Sequence, residues 1–286
     1  MRFASFFIVF ASLIVACTNS EPGETTTTTA PSTTTTTEAG DRPVCLAGEL
    51  PFVEEGTVAA LDSPGRDARA IAGVRWSPLE GCERVEIEFL SATGAPATRI
   101  GPVGISMLSE AGIVRVTLSE AIVESAVADS TLNGSLVDKW FVVEDSEEGL
   151  TVDLHLGQRA AARAFMTSSP ARLVIDLRGT GDDRPLATPL SGEGVVLLSP
   201  QGGVGLYPLQ VTGYAAPEVD AVRLRLTDTV DITIDRAVST LSSTHVWRAF
   251  SAALNDGPSG SVLLLVGTVS EVGDPVFGIE VPLDLP

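Results

Sequence analysis

Few side chains in this sequence are suited to chemistry, and they do not cluster. There are three cysteines, Cys17, Cys45 and Cys82, and two histidines, His155 and His245. His155 alternates with Val152, Leu154 and Leu156. That spacing places it with Asp153 on the solvent face of a strand, as a surface histidine and not a catalytic base. His245 follows Ser242-Ser243-Thr244, a cluster better suited to turn formation than to nucleophilic attack. A Ser-His-Asp triad is defined by geometry, and no Gly-x-Ser-x-Gly elbow occurs. Glycosidic cleavage needs two carboxylates at a set separation. With 37 acidic residues any pair could be nominated, so no pair is informative. Gly202-Gly203-x-Gly205 lacks the Gly-Lys-Ser/Thr end of a phosphate loop. Asp182-Asp183 falls far short of the six to eight oxygens that calcium takes. Two cysteines without a neighbouring histidine make a poor zinc site. The expectation is a protein that is not an enzyme and holds no cofactor and no metal.

Binding is the remaining chemistry, and aromatic rings are its usual tool. Trp76, Trp140, Trp247, Tyr207 and Tyr214 could stack on sugars or line an interface. Core packing is the commoner role of each. Tyr207, in a Gly/Pro loop, is the most exposed candidate, and Trp247, close to His245, is the second.

The elements that would carry such a site begin with an anchor. A single charge, Arg2, precedes a nearly unbroken apolar run over residues 3–16. The run is shorter than the ~20 residues of a comfortable bilayer span and has the form of a secretory signal peptide, residues 1–16. Its end, Ile14-Val15-Ala16-Cys17, resembles the bacterial lipobox. That resemblance implies that Cys17 is thioether-linked to diacylglycerol and becomes the mature N-terminus. Two acyl chains anchor stably where one does not. The implied location is the extracytoplasmic face of the cell membrane.

Residues 17–41 form a tether. Thr25–Thr29 and Thr33–Thr37 flank Ala30-Pro31-Ser32, with no large apolar residue to offset the entropy of ordering. Such a tract is a solvated stalk. Its 24 residues after Cys17 reach roughly 80 Å when fully extended.

Of the 18 lysines and arginines, Arg2 leaves with the leader, so 17 basic residues face 37 acidic ones, a net charge of −20. That balance argues against nucleic acid as a partner. Cys45 and Cys82 remain in an exported chain, where disulfides persist. A bridge between them closes a loop of about 38 residues, contributing about 4 kcal/mol in the chain-entropy model.

Residues 42–286 have almost no helical periodicity. Short β-branched runs alternate with Gly, Pro, Asp, Asn and Ser, which predicts an all-β fold of two β-sandwich-like domains in series. Arg84–Phe89, Ile113–Leu118 and Leu173–Leu177 are predicted strands, and Trp140–Val143 with Leu150–Leu156 a hairpin. Residues 122–132 fit a short helix or a loop. A Gly/Asp/Pro linker, 181–193, divides domain 42–180 from domain 194–286. In the latter, seven short strands are predicted: 195–199, 209–214, 221–227, 231–235, 246–254, 262–269 and 276–285, an immunoglobulin-like count.

Two resemblances follow from particular residues. Gly81–Phe89, Ala164-Phe165 and Ser169–Leu177 are similar to the AMIN-like domain of actinobacterial envelope lipoproteins, with Glu83-Arg84 standing where Asp-Arg is usual. Ser199–Gly203, Pro208–Gly213, Trp247–Phe250 and Val281–Leu283 resemble the immunoglobulin-like domain of bacterial spore germination proteins, whose usual Phe-Glu pair is replaced by Pro217-Glu218-Val219. Together they imply a non-catalytic, lipid-anchored envelope protein that binds or localises at the cell wall, with peptidoglycan or a wall enzyme as partner. The alternative is a protein–protein scaffold docking on a membrane complex.

Overall fold

A computed structural model describes residue 45 and residues 50–228, 232–240, 245–269 and 274–286. The expected signal peptide, the expected lipidation site Cys17 and the expected tether lie outside the described residues. Asp41–Pro286 form one compact unit.

The described chain is all-β. Its strands are β1 (Gly56–Leu61), β2 (Ala68–Leu79), β3 (Cys82–Ser91), β4 (Val103–Leu108), β5 (Ile113–Thr117), β6 (Glu124–Ser125) and β7 (Asp129–Thr131). There follow β8 (Val137–Asp145), β9 (Gly149–Leu156), β10 (Ala160–Thr167), β11 (Arg172–Gly179), β12 (Leu190–Gly192), β13 (Val195–Ser199) and β14 (Gly203–Val204). The last are β15 (Leu209–Ala215), β16 (Ala221–Thr227), β17 (Ile232–Ser239), β18 (Trp247–Leu254), β19 (Gly260–Val269) and β20 (Pro275–Leu285). Residues 122–132, open between helix and loop from sequence, are extended and carry β6 and β7. The predicted hairpin is β8–β9, turning at Ser146-Glu147-Glu148.

Two hydrophobic cores form. In the first, the sheet β10-β11-β3-β2-β6 packs on β4, β5, β9 and β8, with Ile87, Phe89, Val116, Leu154 and Leu173 buried between them. In the second, β14-β20-β19-β16-β17 packs on β13, β15 and β18 around Val211, Leu224, Phe250, Leu264 and Val281. Alternation along each strand sends every second side chain inward, as in β16, whose Val222, Leu224 and Leu226 are buried while the intervening residues are not.

One sheet runs through both halves. The order β1-β4-β5-β9-β8-β18-β15-β13-β12 joins the first core's strands to the second's through a short parallel pairing of β8 with β18, Trp247 opposite Val143 and Arg248 opposite Glu144. Arg248 Nη2 donates to Glu144 Oε2 at 2.8 Å, and Trp247 Nε1 to Asp129 Oδ2 at 2.6 Å. Phe141, Val143, Val196 and Tyr214 form a third, small cluster where the halves meet.

Cys45 and Cys82 are joined in a disulfide, Cα atoms 6.0 Å apart. The bridge ties the chain ahead of β1 to the start of β3. Both sulfurs lie near the Asp176 carboxylate, but as partners in a disulfide they are not free thiolate ligands.

Candidate functional site

Three polar clusters are closed, while two open clefts lie among the loops: one of about 670 Å³, lined by Asp62, Arg66, Glu120, Glu147 and Glu148 among others, and the one around Arg99 described below. The first closed cluster lies across three adjacent strands. Register sets Arg163 of β10 opposite Asp176 of β11, and Asp176 opposite Arg84 of β3. Asp176 is fully buried. It accepts from Arg84 Nε at 2.7 Å and Nη2 at 3.0 Å, and from Arg163 Nε at 3.2 Å and Nη2 at 3.0 Å. Hydrogen bonding to Asp176 raises the Arg84 pKa. The Arg163 and Arg178 guanidinium groups stack over the Phe52 ring, 4.8 and 4.4 Å from its centroid.

Glu83, one residue before Arg84, is a second closed centre. It accepts from Trp76 Nε1 (2.9 Å), Ser135 N (2.6 Å), Ser135 Oγ (2.8 Å), Leu136 N (2.9 Å) and Val137 N (3.1 Å). Burial pushes its carboxyl up, but the bonds from Trp76, Leu136 and Ser135 outweigh burial and hold it below the ordinary value. Gly134 allows the approach: a Cβ there would sit 2.3 Å from Val137 O and 2.7 Å from Glu83 Oε2. Glu83 thus staples the segment entering β8 onto β3.

The third closed cluster overturns the placement of His155 and Asp153 on a wet face. Both are buried, at 5 % and 0 % exposure. Their face of β9 does point away from the first core, but the second half covers it. Asp153 sits opposite Arg115 of β5 and accepts from its Nε at 2.9 Å and Nη2 at 2.8 Å. The buried Tyr214 hydroxyl of β15 donates to the same carboxylate, and Arg115 Nη2 reaches Tyr214 Oη at 3.2 Å. Phe141 packs on His155 at 4.8 Å and edge-on to Trp247 at 4.9 Å. Burial pushes the His155 pKa down to about 4, with Lys139 and Arg115 adding to the fall and Asp153 opposing it. Burial and the Asp153 carboxylate push the Tyr214 hydroxyl up. A narrow cleft of about 360 Å³ beside this cluster is lined by Arg115, Tyr214, Thr212 and Ser251.

The open site around Arg99 lies at one end of the first core, where three connections meet: β1–β2, β3–β4 and β10–β11. They enclose a cleft of about 570 Å³ lined by Ser63, Thr98, Arg99, Met166, Ser168 and Ser169, among others. Its frame is fixed. The Asp67 carboxylate accepts from Thr98 N, Thr98 Oγ1 and Arg99 N at 2.8–3.1 Å. Burial raises the Asp67 carboxyl, and these bonds, led by that of Arg99, bring it below its ordinary value. Asp67 N and Ala68 N both donate to Arg99 O at 3.1 Å. Gly101, at φ +91°, donates its N–H to Ser63 Oγ at 3.0 Å, and Ala171 N donates to Ala97 O at 2.8 Å. The Arg99 peptide is thus held on both sides, while its exposed guanidinium makes no ion pair among the described residues. Thr167, Ser168 and Ser169 are exposed and their hydroxyls bond to no other described residue. Ser169 is the one described non-glycine residue at positive φ, +62°.

The aromatic candidates fall elsewhere. Tyr207 is partly buried against the second core and donates to Pro258 O at 2.9 Å. Trp247 is half-buried at the junction. The structure does not bring the two together with the cleft. Trp140 and Tyr214 are core residues, Trp76 serves Glu83, and His245 is exposed. Sequence reasoning missed Arg99. The available signal was an arginine closing Gly94-Ala95-Pro96-Ala97-Thr98, a turn-rich stretch before a strand.

Comparison with known proteins finds no matching family, no similar curated protein and no similar solved structure.

Proposed function

We propose that this protein is a lipid-anchored module of the cell envelope that binds at the cell wall and does not itself catalyse a reaction. The observation that carries this reading is the division of its polar groups. Asp153, Asp176 and Glu83 are saturated by donors fixed in the fold. Unpartnered arginine and hydroxyl groups instead surround an open cleft whose size suits a small ligand. The lipobox-like Ile14–Cys17, the threonine-rich tether and the resemblance of roughly residues 50–178 to the AMIN-like domain belong to the same reading. On it, Cys17 holds the chain to the membrane and the tether lifts the β-rich body toward the wall.

The test is co-sedimentation of the full acylated chain, in detergent micelles, with isolated sacculi over a range of salt. Saturable pelleting that survives salt is expected. A chain that stays in the supernatant at every salt concentration contradicts direct wall binding.

A second reading, a scaffold docking on an envelope protein, is favoured by one feature. Val204, at the end of β14, and Leu206, two residues on, stand 83 % and 70 % exposed. Cross-linking from this loop in the native membrane separates the two readings.

A further inference from the structure

We propose that the cleft around Arg99 binds a free carboxylate on the peptide part of a cell-wall glycopeptide. The inference rests on the wall-binding reading and gives it a site and a chemical handle.

The sequence carries a net charge of −19. Arginines in such a chain have acids within easy reach, and many take them. Arg84 and Arg163 pair with Asp176, Arg115 with Asp153, Arg223 and Arg225 with Asp235, and Arg248 with Glu144. Arg99, like Arg66, Arg69, Arg178 and Arg236, makes no ion pair among the described residues, and of these it is the one that lines this cleft. The carboxylate that holds its peptide, Asp67, is spent on the backbone of Thr98 and Arg99 and on the Thr98 hydroxyl. That arrangement fixes where the Arg99 side chain starts and leaves its guanidinium unpaired. A planar fork of donors matches a carboxylate bidentately. With its backbone already fixed, Arg99 has only side-chain freedom to lose on binding.

The surroundings fit a glycopeptide better than a small inorganic anion. Thr167, Ser168 and Ser169 offer hydroxyls that both donate and accept, the capacity needed for sugar hydroxyls and peptide amides. Met166 and the exposed Pro64 give the cleft an apolar side for the C–H faces of a sugar or side chain. A volume of about 570 Å³ exceeds what a lone anion fills. Ser169 holds φ +62°, a conformation glycine would adopt at lower cost. Strained backbone of this kind gathers at ligand clamps, and here it sets a hydroxyl on the rim.

Electrostatics gives the proposal an unusual sign. A protein this acidic is repelled by an acidic wall. Converting the wall's carboxylates to neutral amides weakens that repulsion, so non-specific association must rise. Recognition of a carboxylate at Arg99 predicts a fall.

The experiment uses the full acylated chain in detergent and sacculi stripped of phosphodiester-linked polymers, so that the remaining carboxylates belong to wall peptides. One half of the sacculi is amidated with a carbodiimide and an amine. Wild type, Arg99→Ala, Arg99→Lys and the control Arg75→Ala are compared, with thermal melts confirming that each is folded. Arg75 is an exposed arginine of the same half, paired at 3.1 Å with Glu88. The expected result is a loss of affinity of tenfold or more for Arg99→Ala, a smaller loss for Arg99→Lys and none for Arg75→Ala. Wild type should show a similar loss on amidated sacculi. Undiminished pelleting of Arg99→Ala, equal losses in both alanine variants, or undiminished wild-type binding to amidated sacculi would overturn the carboxylate site while wall binding stands. Failure of wild type to pellet on untreated sacculi overturns both.

Discussion

The junction between the halves and the cleft at the end of the first core use the same residue types to opposite ends. At the junction Arg115 meets Asp153 and Tyr214, all three satisfied by one another under a cover of Phe141 and Trp247. In the cleft Arg99 has its peptide fixed by Asp67 and its guanidinium left over. A buried charge is stable only when paired and hydrogen-bonded, so the junction had to close, and its bonds hold two packed halves in register. An exposed guanidinium has no such requirement. Arg99 shares that freedom with other exposed arginines, and its fixed backbone at the edge of a cleft is what sets it apart. The comparison predicts that variants in the closed clusters act on stability and variants in the cleft act on binding.

The sharpest break in the closed group is at Asp176. Asp176→Ala leaves Arg84 and Arg163 facing each other in a buried place. It should cost about 3–5 kcal/mol, read as a large fall in the urea midpoint.

The next effect is a pH dependence. His155 is held neutral by burial, with a folded pKa of about 4 against 6.5 for the free side chain. Between those values the unfolded chain binds a proton that the folded chain does not. Stability is therefore full above pH 6.5 and falls as pH drops toward 4, by about 3 kcal/mol in all. Urea titrations of wild type and His155→Gln across this range should converge as pH falls. Parallel curves would show that His155 does not titrate between the two states.

A smaller loss is expected for Tyr214→Phe. It removes one donor to Asp153 while Arg115 remains, about 1.5 kcal/mol by analogy with other buried hydrogen bonds. Smallest is Arg99→Ala, an exposed substitution whose stability change should stay within about 0.5 kcal/mol. Its expected effect, on the proposed function, is on wall affinity.

Much of the framework was legible in local pattern. Residues 221–227 alternate cleanly, and β16 spans those residues. The β8–β9 hairpin and the all-β class were readable because alternation and turn residues are short-range signals, and the Cys45–Cys82 bridge, across 37 residues, because only these two cysteines remain once Cys17 is set aside. What failed was anything decided by a distant strand. Asp153 and His155 alternate with apolar residues as surface residues do, and only the packing of β15 and β18 over that face buries them. The five donors to Glu83 come from Trp76 and residues 135–137, which no spacing rule connects. The cleft is built from three loops separated by up to a hundred residues. Tyr207 was favoured for its glycine- and proline-rich surroundings, but its ring packs against the second core and its hydroxyl donates to Pro258 O.

The most direct test of this contrast is a paired measurement of urea midpoint and sacculus affinity for Tyr214→Phe and Arg99→Ala. The account predicts that Tyr214→Phe lowers the midpoint and keeps wild-type affinity, while Arg99→Ala keeps the midpoint and loses affinity tenfold or more. A variant pair in which affinity follows the midpoint, or in which Arg99→Ala binds as wild type does, would contradict it.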